Sequence, residues 1–374
     1  MSGQIDQAVD MEKKTIPIIQ SKSFISRYAK RAKSHALNQM GASRIMAGDL
    51  KTAHAYFKES KDLSEEIEDW VNYNMTQRNL GLIYSNMGQH PEALELMEEN
   101  LRNEERISNE DGVAHAKVNL ASLYYISGRL QEAANYGRSA MEFRFVQKNK
   151  MRITESLPHQ VRIYELLNQK TNSREIYEIA GKIIGPDENP FIKAGLKHAE
   201  ALILKNSNRA RHKTNSQTIL EELLADPILK TRSWWLSSAK LDLCDLLVEE
   251  LSQYGEQEVL DEITSYLQAV ENDAMMNHDY RLELSTALIR SRLNLIEGDH
   301  ETALEKLEEV SIRATETQHT IFIQQAEDEK LKIVEEIKKW PDLISPDTTM
   351  RQKIRNAKLE EYLQNALSVA SKLS

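Results

Sequence analysis

The sequence predicts an all-α fold, a solenoid of stacked antiparallel helix pairs, on three observations. Short stretches around Gly41, Gly81, Ala121 and Val161 stand 40 residues apart and align without a gap, the mark of an array in which each unit packs chiefly on its neighbours. Each of the first three units also carries a glycine, Gly48, Gly88 or Gly128, followed within five residues by a fresh helix start. Finally, 8 prolines and 13 glycines in 374 residues are too few breakers for a β protein.

Along the chain, residues 1–21 read as a loose polar leader. Four regular repeats follow over 22–185. The second reads Asn79-Leu80-Gly81-Leu82-Ile83-Tyr84, then Gly88, then Pro91-Glu92-Ala93-Leu94 and Met97. The third repeats this as Asn119-Leu120-Ala121-Ser122-Leu123-Tyr124, Gly128, Ala133 and Ala140. The first has Gly41, Gly48, Ala53 and Phe57, and the more worn fourth has Val161, Tyr164, Asn168 and Tyr177. Small residues at 41, 81 and 121 suit a close helix crossing, with Tyr84, Tyr124 and Tyr164 filling space one turn later. Glycine at the turn suits a left-handed cap, and Pro91 suits a first helical turn, where no amide partner is lost.

Gly185-Pro186-Asp187-Glu188-Asn189-Pro190 is the clearest breaker and marks a wide turn. Beyond it, 186–340 continues as less regular repeats. A pair spans 191–225 with a basic insertion, 205–213, in its turn, and a longer pair covers 232–271. A third covers 280–314 with the turn Glu297-Gly298-Asp299-His300, and a last long helix covers 317–340. The remainder, 341–374, reads as a linker and a C-terminal capping helix, with Ile354, Leu359, Leu363, Ala366, Leu367 and Ala370 on one side.

The L-G-x2-Y…A-x3-F grammar resembles the tetratricopeptide repeat, in the longer variant of kinesin light chains, MalT-type arrays and the bacterial Rap and PlcR peptide receptors. The resemblance is strong over 25–185 and weak over 190–340. It implies a right-handed superhelix of about seven helix pairs whose first helices line a concave groove for an extended or helical peptide. In those families the asparagine just before the leucine often reaches the peptide backbone, and Gln39, Asn79, Asn119 and His159 hold that slot here. Residues 1–25 are too short for the DNA-binding helix-turn-helix of a PlcR-like regulator.

Helical geometry points to the same face independently. At about 100° per residue, Leu80, Gly81 and Tyr84 point one way, whereas Met75, Asn79, Leu82 and Asn86 gather on the other. The equivalent sets are His35, Gln39, Ala42 and Met46; His115, Asn119, Ser122 and Ile126; and Glu155, His159, Arg162 and Leu166. Such a mixture suits a peptide with both backbone and side-chain anchors. Arg78 and Arg162 are the groove cations, and no lysine stands at those places to clamp a terminal carboxylate as in chaperone-binding relatives. Trp234 and Trp235 point about 100° apart on a helix, which makes Trp235 a candidate exposed contact.

Other chemistry finds little support. No metalloprotease, phosphate-loop, nucleophile-elbow or dinucleotide motif occurs, so neither catalysis nor a cofactor is expected. Cys244, in the run Leu241-Asp242-Leu243-Cys244, reads as buried filler rather than a nucleophile. A net charge of −10 disfavours nucleic acid, although residues 1–60 carry ten Lys/Arg against five Asp/Glu. Residues 241–350 carry nine against twenty-six, a surface for a basic partner. With no long apolar run and no signal segment, the expectation is a cytoplasmic protein that binds a protein or peptide and no membrane. The alternatives are a peptide-responsive signalling receptor and the regulatory subunit of an enzyme complex.

Overall fold

The computed structural model describes residues 26–46, 49–229, 233–297 and 299–339. Among them are fifteen helices and no strand: α1 (Arg27–Met46), α2 (Leu50–Glu66), α3 (Trp70–Asn86), α4 (His90–Arg106), α5 (Glu110–Ile126), α6 (Leu130–Gln147), α7 (Lys150–Leu166), α8 (Lys170–Ile184), α9 (Pro190–Lys205), α10 (Ala210–Ala225), α11 (Ser233–Tyr254), α12 (Gln257–Asn277), α13 (Tyr280–Glu297), α14 (His300–Glu316) and α15 (Thr320–Lys339). The leader, Gly48, Gly298 and the expected linker and capping helix lie outside the described residues, as do the side chains of Met46, Asn86, Trp234 and Trp235.

Helices of about five turns alternate with tight turns, and one left-handed residue sits in each fully described turn from α2 to α8. Glu68, Gly88, Ser108, Gly128, Lys148 and Asn168 all have φ between 51° and 76°, spaced 20 residues apart, and His278 and Gln318, 40 residues apart, repeat the conformation out of that register. The next residue's amide then reaches back to a carbonyl of the last helical turn, as Gln89 N–H does to Tyr84 O and Arg129 N–H to Tyr124 O, both at 2.8 Å. Asp49, Asp69, Asn109, Asn149 and Asp299 cap the following helix by accepting a backbone N–H. Gly88 and Gly128 have the expected left-handed geometry, but glutamate, serine, lysine and asparagine hold it elsewhere at the steric cost that glycine avoids.

Close crossings explain the small residues. A Cβ on Gly41 would lie 2.7 Å from the Phe57 ring, and one on Gly81 would lie 2.6 Å from Met97 Cε. The crossing of α7 and α9 is tighter still, because a Cβ on Gly195 would lie 2.5 Å from the backbone oxygen of Thr154. Pro158, inside α7, has no N–H to offer that carbonyl. The breaker behaves as expected: α8 ends at Ile184, Gly185 has φ 57°, and Asn189 caps α9 through Phe191 N–H at 3.0 Å. The basic insertion is shorter as a turn than its composition suggests. Arg209 O already accepts from His212 and Lys213 N–H, so Ala210 starts α10.

Apolar packing runs through the array in three main clusters: α4 to α9 around Leu120, Leu157 and Val161, α9 to α13 around Leu243, Ile263 and Leu267, and α13 to α15 around Leu307 and Phe322. Cys244 is buried in the second, and burial pushes its thiol up, away from the reactive thiolate. The interface of the first two repeats is unusually polar. Ser34, Ser60, Ser64, Asn72 and Thr76 are buried there, with Asn72 Nδ2 donating to Ser64 Oγ at 2.8 Å.

The superhelix closes on itself. Tyr125 and Leu130, from α5 and α6, pack into the cluster of α13 to α15. The Gly88 turn meets the Thr317 backbone, the Gly128 turn faces Thr320 and Gln324, and His90 meets His319. This seam turns the second to last repeats into a ring, from which α1 and α2 extend. No helix among the described residues is long and apolar enough to cross a membrane.

Candidate functional site

The ring encloses two adjoining chambers of about 400 and 350 Å³. The first is lined mainly by the first helices of successive repeats. Leu82 comes from α3, Asn119, Ser122 and Ile126 from α5, Glu155 and His159 from α7, and Tyr280 and Arg281 from the start of α13. The second is lined by Arg162, Leu166, Lys205, Asp242, Asp245 and Arg292 among others. Tyr125, Arg162, Ser238 and Arg281 border both and form the wall between them.

The sequence-derived positions divide along this geometry. Leu82, Asn119, Ser122, His159 and Arg162 come together at the first chamber. Gln39 is exposed on α1, outside both chambers. Asn79 is also outside them and donates from Nδ2 to Asn38 Oδ1 at 2.9 Å, joining α3 to α1. Arg78 is half-buried, and burial, opposed by Glu104, lowers its guanidinium. It makes no side-chain hydrogen bond among the described residues. The side chains of Asn86 and Trp235 lie outside the description, although their helices α3 and α11 are placed.

Within the first chamber, Asn119 has no side-chain hydrogen bond to any described residue, so its amide can both donate and accept. Ser122 Oγ donates to Val118 O at 3.2 Å and lies 3.5 Å from His159 Nε2. His159 stands edge-on to the Tyr125 ring at 5.3 Å. Burial, then Arg162 and Arg281, lower its pKa to about 3, so the imidazole is neutral near pH 7.

Arg162 is held firmly within the chain. Its Nη1 and Nη2 donate to Asp242 Oδ1 and Oδ2 at 2.8 and 2.6 Å, and Nη2 also reaches Ser238 Oγ at 3.1 Å. Asp242, on α11, is fully buried and pairs as well with His198 Nε2 at 2.9 Å and Lys205 Nζ at 3.1 Å. Burial alone would push its carboxyl up, but Arg162 and Lys205 hold it well below the usual range. The network continues through Asp245, which accepts from Lys205 at 2.7 Å and Arg292 at 3.1 Å, to Glu329, 2.9 Å from Arg292. These fixed pairs tie α7, α9, α11, α13 and α15 together across the interior.

Sequence reasoning missed Arg281, Tyr280, Asp242 and His319. None belongs to the repeat grammar, and only ring closure brings them opposite α5 and α7. No group of three or more histidine, cysteine or carboxylate side chains suited to a metal ion occurs among the described residues. The chambers offer both hydrogen-bonding and apolar surface.

Comparison with known proteins agrees with this architecture. Residues 72–144 match the family model of the tetratricopeptide repeat. No curated protein sequence matches the chain. Among solved structures, the Rap conjugation gene regulator of the plasmid pLS20 in complex with the Phr* peptide is similar, with a TM-score of 0.52 and 14% identity over 73% of this chain and 70% of that one. The apo form of RapI gives 0.50 and 13% identity over 64% and 85%. A Rap protein complexed with competence and sporulation factor gives 0.47 and 16% identity, over 68% of this chain and 66% of that one. The chain is thus an all-α helical-repeat solenoid whose residues 72–144 match the tetratricopeptide repeat.

Proposed function

We propose that the chain is a non-catalytic recognition module that takes a peptide in the interior of its ring. The observation that carries this is Asn119, an amide with both hydrogen-bonding groups open, set among Leu82, Ile126 and Tyr125 in a 400 Å³ chamber. A peptide presents unpaired backbone N–H and C=O groups between side chains, and that mixture is its complement. The closed seam favours a peptide-responsive receptor over an open scaffold, since an enclosed ligand contacts both sides of the ring and biases its opening. The pLS20 Rap regulator, similar in fold, was solved with the Phr* peptide, and a short peptide here is in keeping with that.

The test is hydrogen exchange on the full chain with and without peptides retained from a random synthetic heptapeptide mixture. Protection of α5, α7 and the start of α13 is expected. Retained peptides that protect only α1, α2 or the outer second helices would overturn the reading.

A further inference from the structure

Most of the cations in the two chambers are already matched. Arg162 has Asp242 and Ser238, Lys205 has Asp242 and Asp245, and Arg292 has Asp245 and Glu329. Arg281 differs. Its one hydrogen bond among the described residues is from Nη2 to Asp279 Oδ2 at 3.4 Å, while the other oxygen of Asp279 accepts Leu282 N–H at 3.1 Å. Arg281 lines both chambers, and its remaining donors make no other hydrogen bond among the described residues. The neutral His159 ring feels Arg281 and Arg162 together, and Asn119 and Ser122 stand on the same lining.

Apart from Asp279, no described acidic group pairs with Arg281. Glu155 is bridged to Arg152 at 3.0 Å, and Glu165 accepts from Ser173 Oγ at 2.5 Å. We propose that Arg281, with His159 and Asn119 across from it, forms an anchoring subsite for a carboxylate of the bound peptide. A planar guanidinium with two adjacent open N–H groups matches a carboxylate in a two-point contact, which neutral side chains would not favour as strongly. A lysine clamp is absent from the repeat positions. The anchor comes instead from α13, at the far side of the ring. The carboxylate is either the peptide's C-terminus or an Asp or Glu side chain.

This inference rests on the peptide reading and is separable from it by experiment. The immobilised full chain is incubated with an equimolar mixture of random synthetic heptapeptides, half with free C-termini and half amidated, and retained peptides are sequenced by mass spectrometry. Retained peptides should be enriched about tenfold or more in a carboxylate at one position, the scale of a lost charge-assisted contact of about 1.4 kcal/mol. Enrichment among free over amidated chains identifies the terminus, and enrichment of Asp or Glu in both halves identifies a side chain. Arg281→Gln should erase the enrichment and Arg281→Lys should restore part of it, with both variants melting close to the parent. Peptides retained without carboxylate preference, or a preference that survives Arg281→Gln, would overturn the subsite and leave the peptide reading standing. Retention of no peptide would overturn both.

Discussion

His90 and His319 lie 229 residues apart in sequence and meet edge to face, with ring centroids 4.4 Å apart and Nε2 of the first 3.2 Å from Nδ1 of the second. His319 Nδ1 also lies 2.9 Å from Thr317 O, and Tyr280 and Phe322 stand around the pair. Both rings are buried at the seam between α4 and the approach to α15. Two imidazoles sharing one contact cannot both be charged there without leaving like charges together out of water. The seam is therefore stable as a neutral pair, and it is what makes the interior a chamber.

Acid should loosen this seam. Burial, with His319 as neighbour, lowers His90 to about 4, and burial lowers His319 to about 4, both from 6.5. A base depressed in the folded state contributes stability above its unfolded pKa and loses it as pH falls toward its folded pKa. Stability should thus fall between about pH 6.5 and 4, with a limiting slope of about 1.4 kcal/mol per pH unit for each histidine. Chemical denaturation across that range measures it. The double variant His90→Phe, His319→Leu should lose part of the slope, and His159, also depressed, supplies a remainder. An unchanged slope in the double variant would show that the seam does not titrate with folding.

Asp242 is the point on which the interior charges balance. Asp242→Asn keeps the shape but leaves Arg162, His198 and Lys205 facing a neutral amide. Breaking a buried pair by removing one partner costs roughly 3–5 kcal/mol. Asp245→Asn should cost less, because Asp245 is a third exposed and Lys205 keeps Asp242. Urea midpoints for the two variants should separate in that order.

Much of the array was legible because its grammar is local. Gly88 and Gly128 announce left-handed turns, and Gly41 and Gly81 announce the crossings beneath Phe57 and Met97. The finer 20-residue rhythm was hidden, since Glu68, Ser108, Lys148 and Asn168 adopt the glycine conformation without the glycine. Half of the chamber was legible for the same reason: Asn119, Ser122, His159 and Arg162 recur at fixed repeat positions. The facing half was not, because no local pattern reports which distant turn meets Gly88. Asp242 sat in an apolar run that reads as core, and only its pairing with Arg162, His198 and Lys205 explains a carboxylate there.

Those non-glycine turns give a stability prediction. Ser108→Gly and Lys148→Gly should each stabilise by roughly 0.5–1 kcal/mol, because the left-handed penalty for a side chain exceeds the entropy that glycine adds. Gly88→Ala should destabilise, since its φ is 76° and the new Cβ would lie 2.9 Å from Thr317 Cα. Thermal melts of the three variants check the signs.

Gly195→Ala tests a crossing closed by backbone. Its added methyl would press on Thr154 O and Cβ, at 2.5 and 2.6 Å, where the obstacle is partly backbone and cannot swing aside. Overpacking of this kind costs about 1–3 kcal/mol. Gly181→Ala, with nothing within 4 Å of the new atom, should be neutral or stabilising within α8. Equal midpoints for the two variants would contradict the close approach of α7 and α9.

Asn79 and Asn119, at equivalent repeat positions, give the most direct test of function, because the same substitution should act on different properties. Asn79 spends its amide on Asn38, so Asn79→Ala removes a half-buried internal hydrogen bond and should lower stability by about 0.5–1.5 kcal/mol. Asn119 spends its amide on no described residue, so Asn119→Ala should leave the melting temperature nearly unchanged. If the Asn119 amide holds a peptide's backbone, that variant should bind a retained heptapeptide about two- to tenfold more weakly, the equivalent of one net hydrogen bond. Arg129→Ala is the control, since Arg129 stacks on Tyr124 at 4.4 Å, pairs with Glu132 at 2.9 Å and borders neither chamber. Titration calorimetry and melting of all three variants should therefore show a crossed pattern, stability lost at 79 and affinity lost at 119. Affinity lost at 79 alone would move the peptide toward α1 and α3, outside the ring.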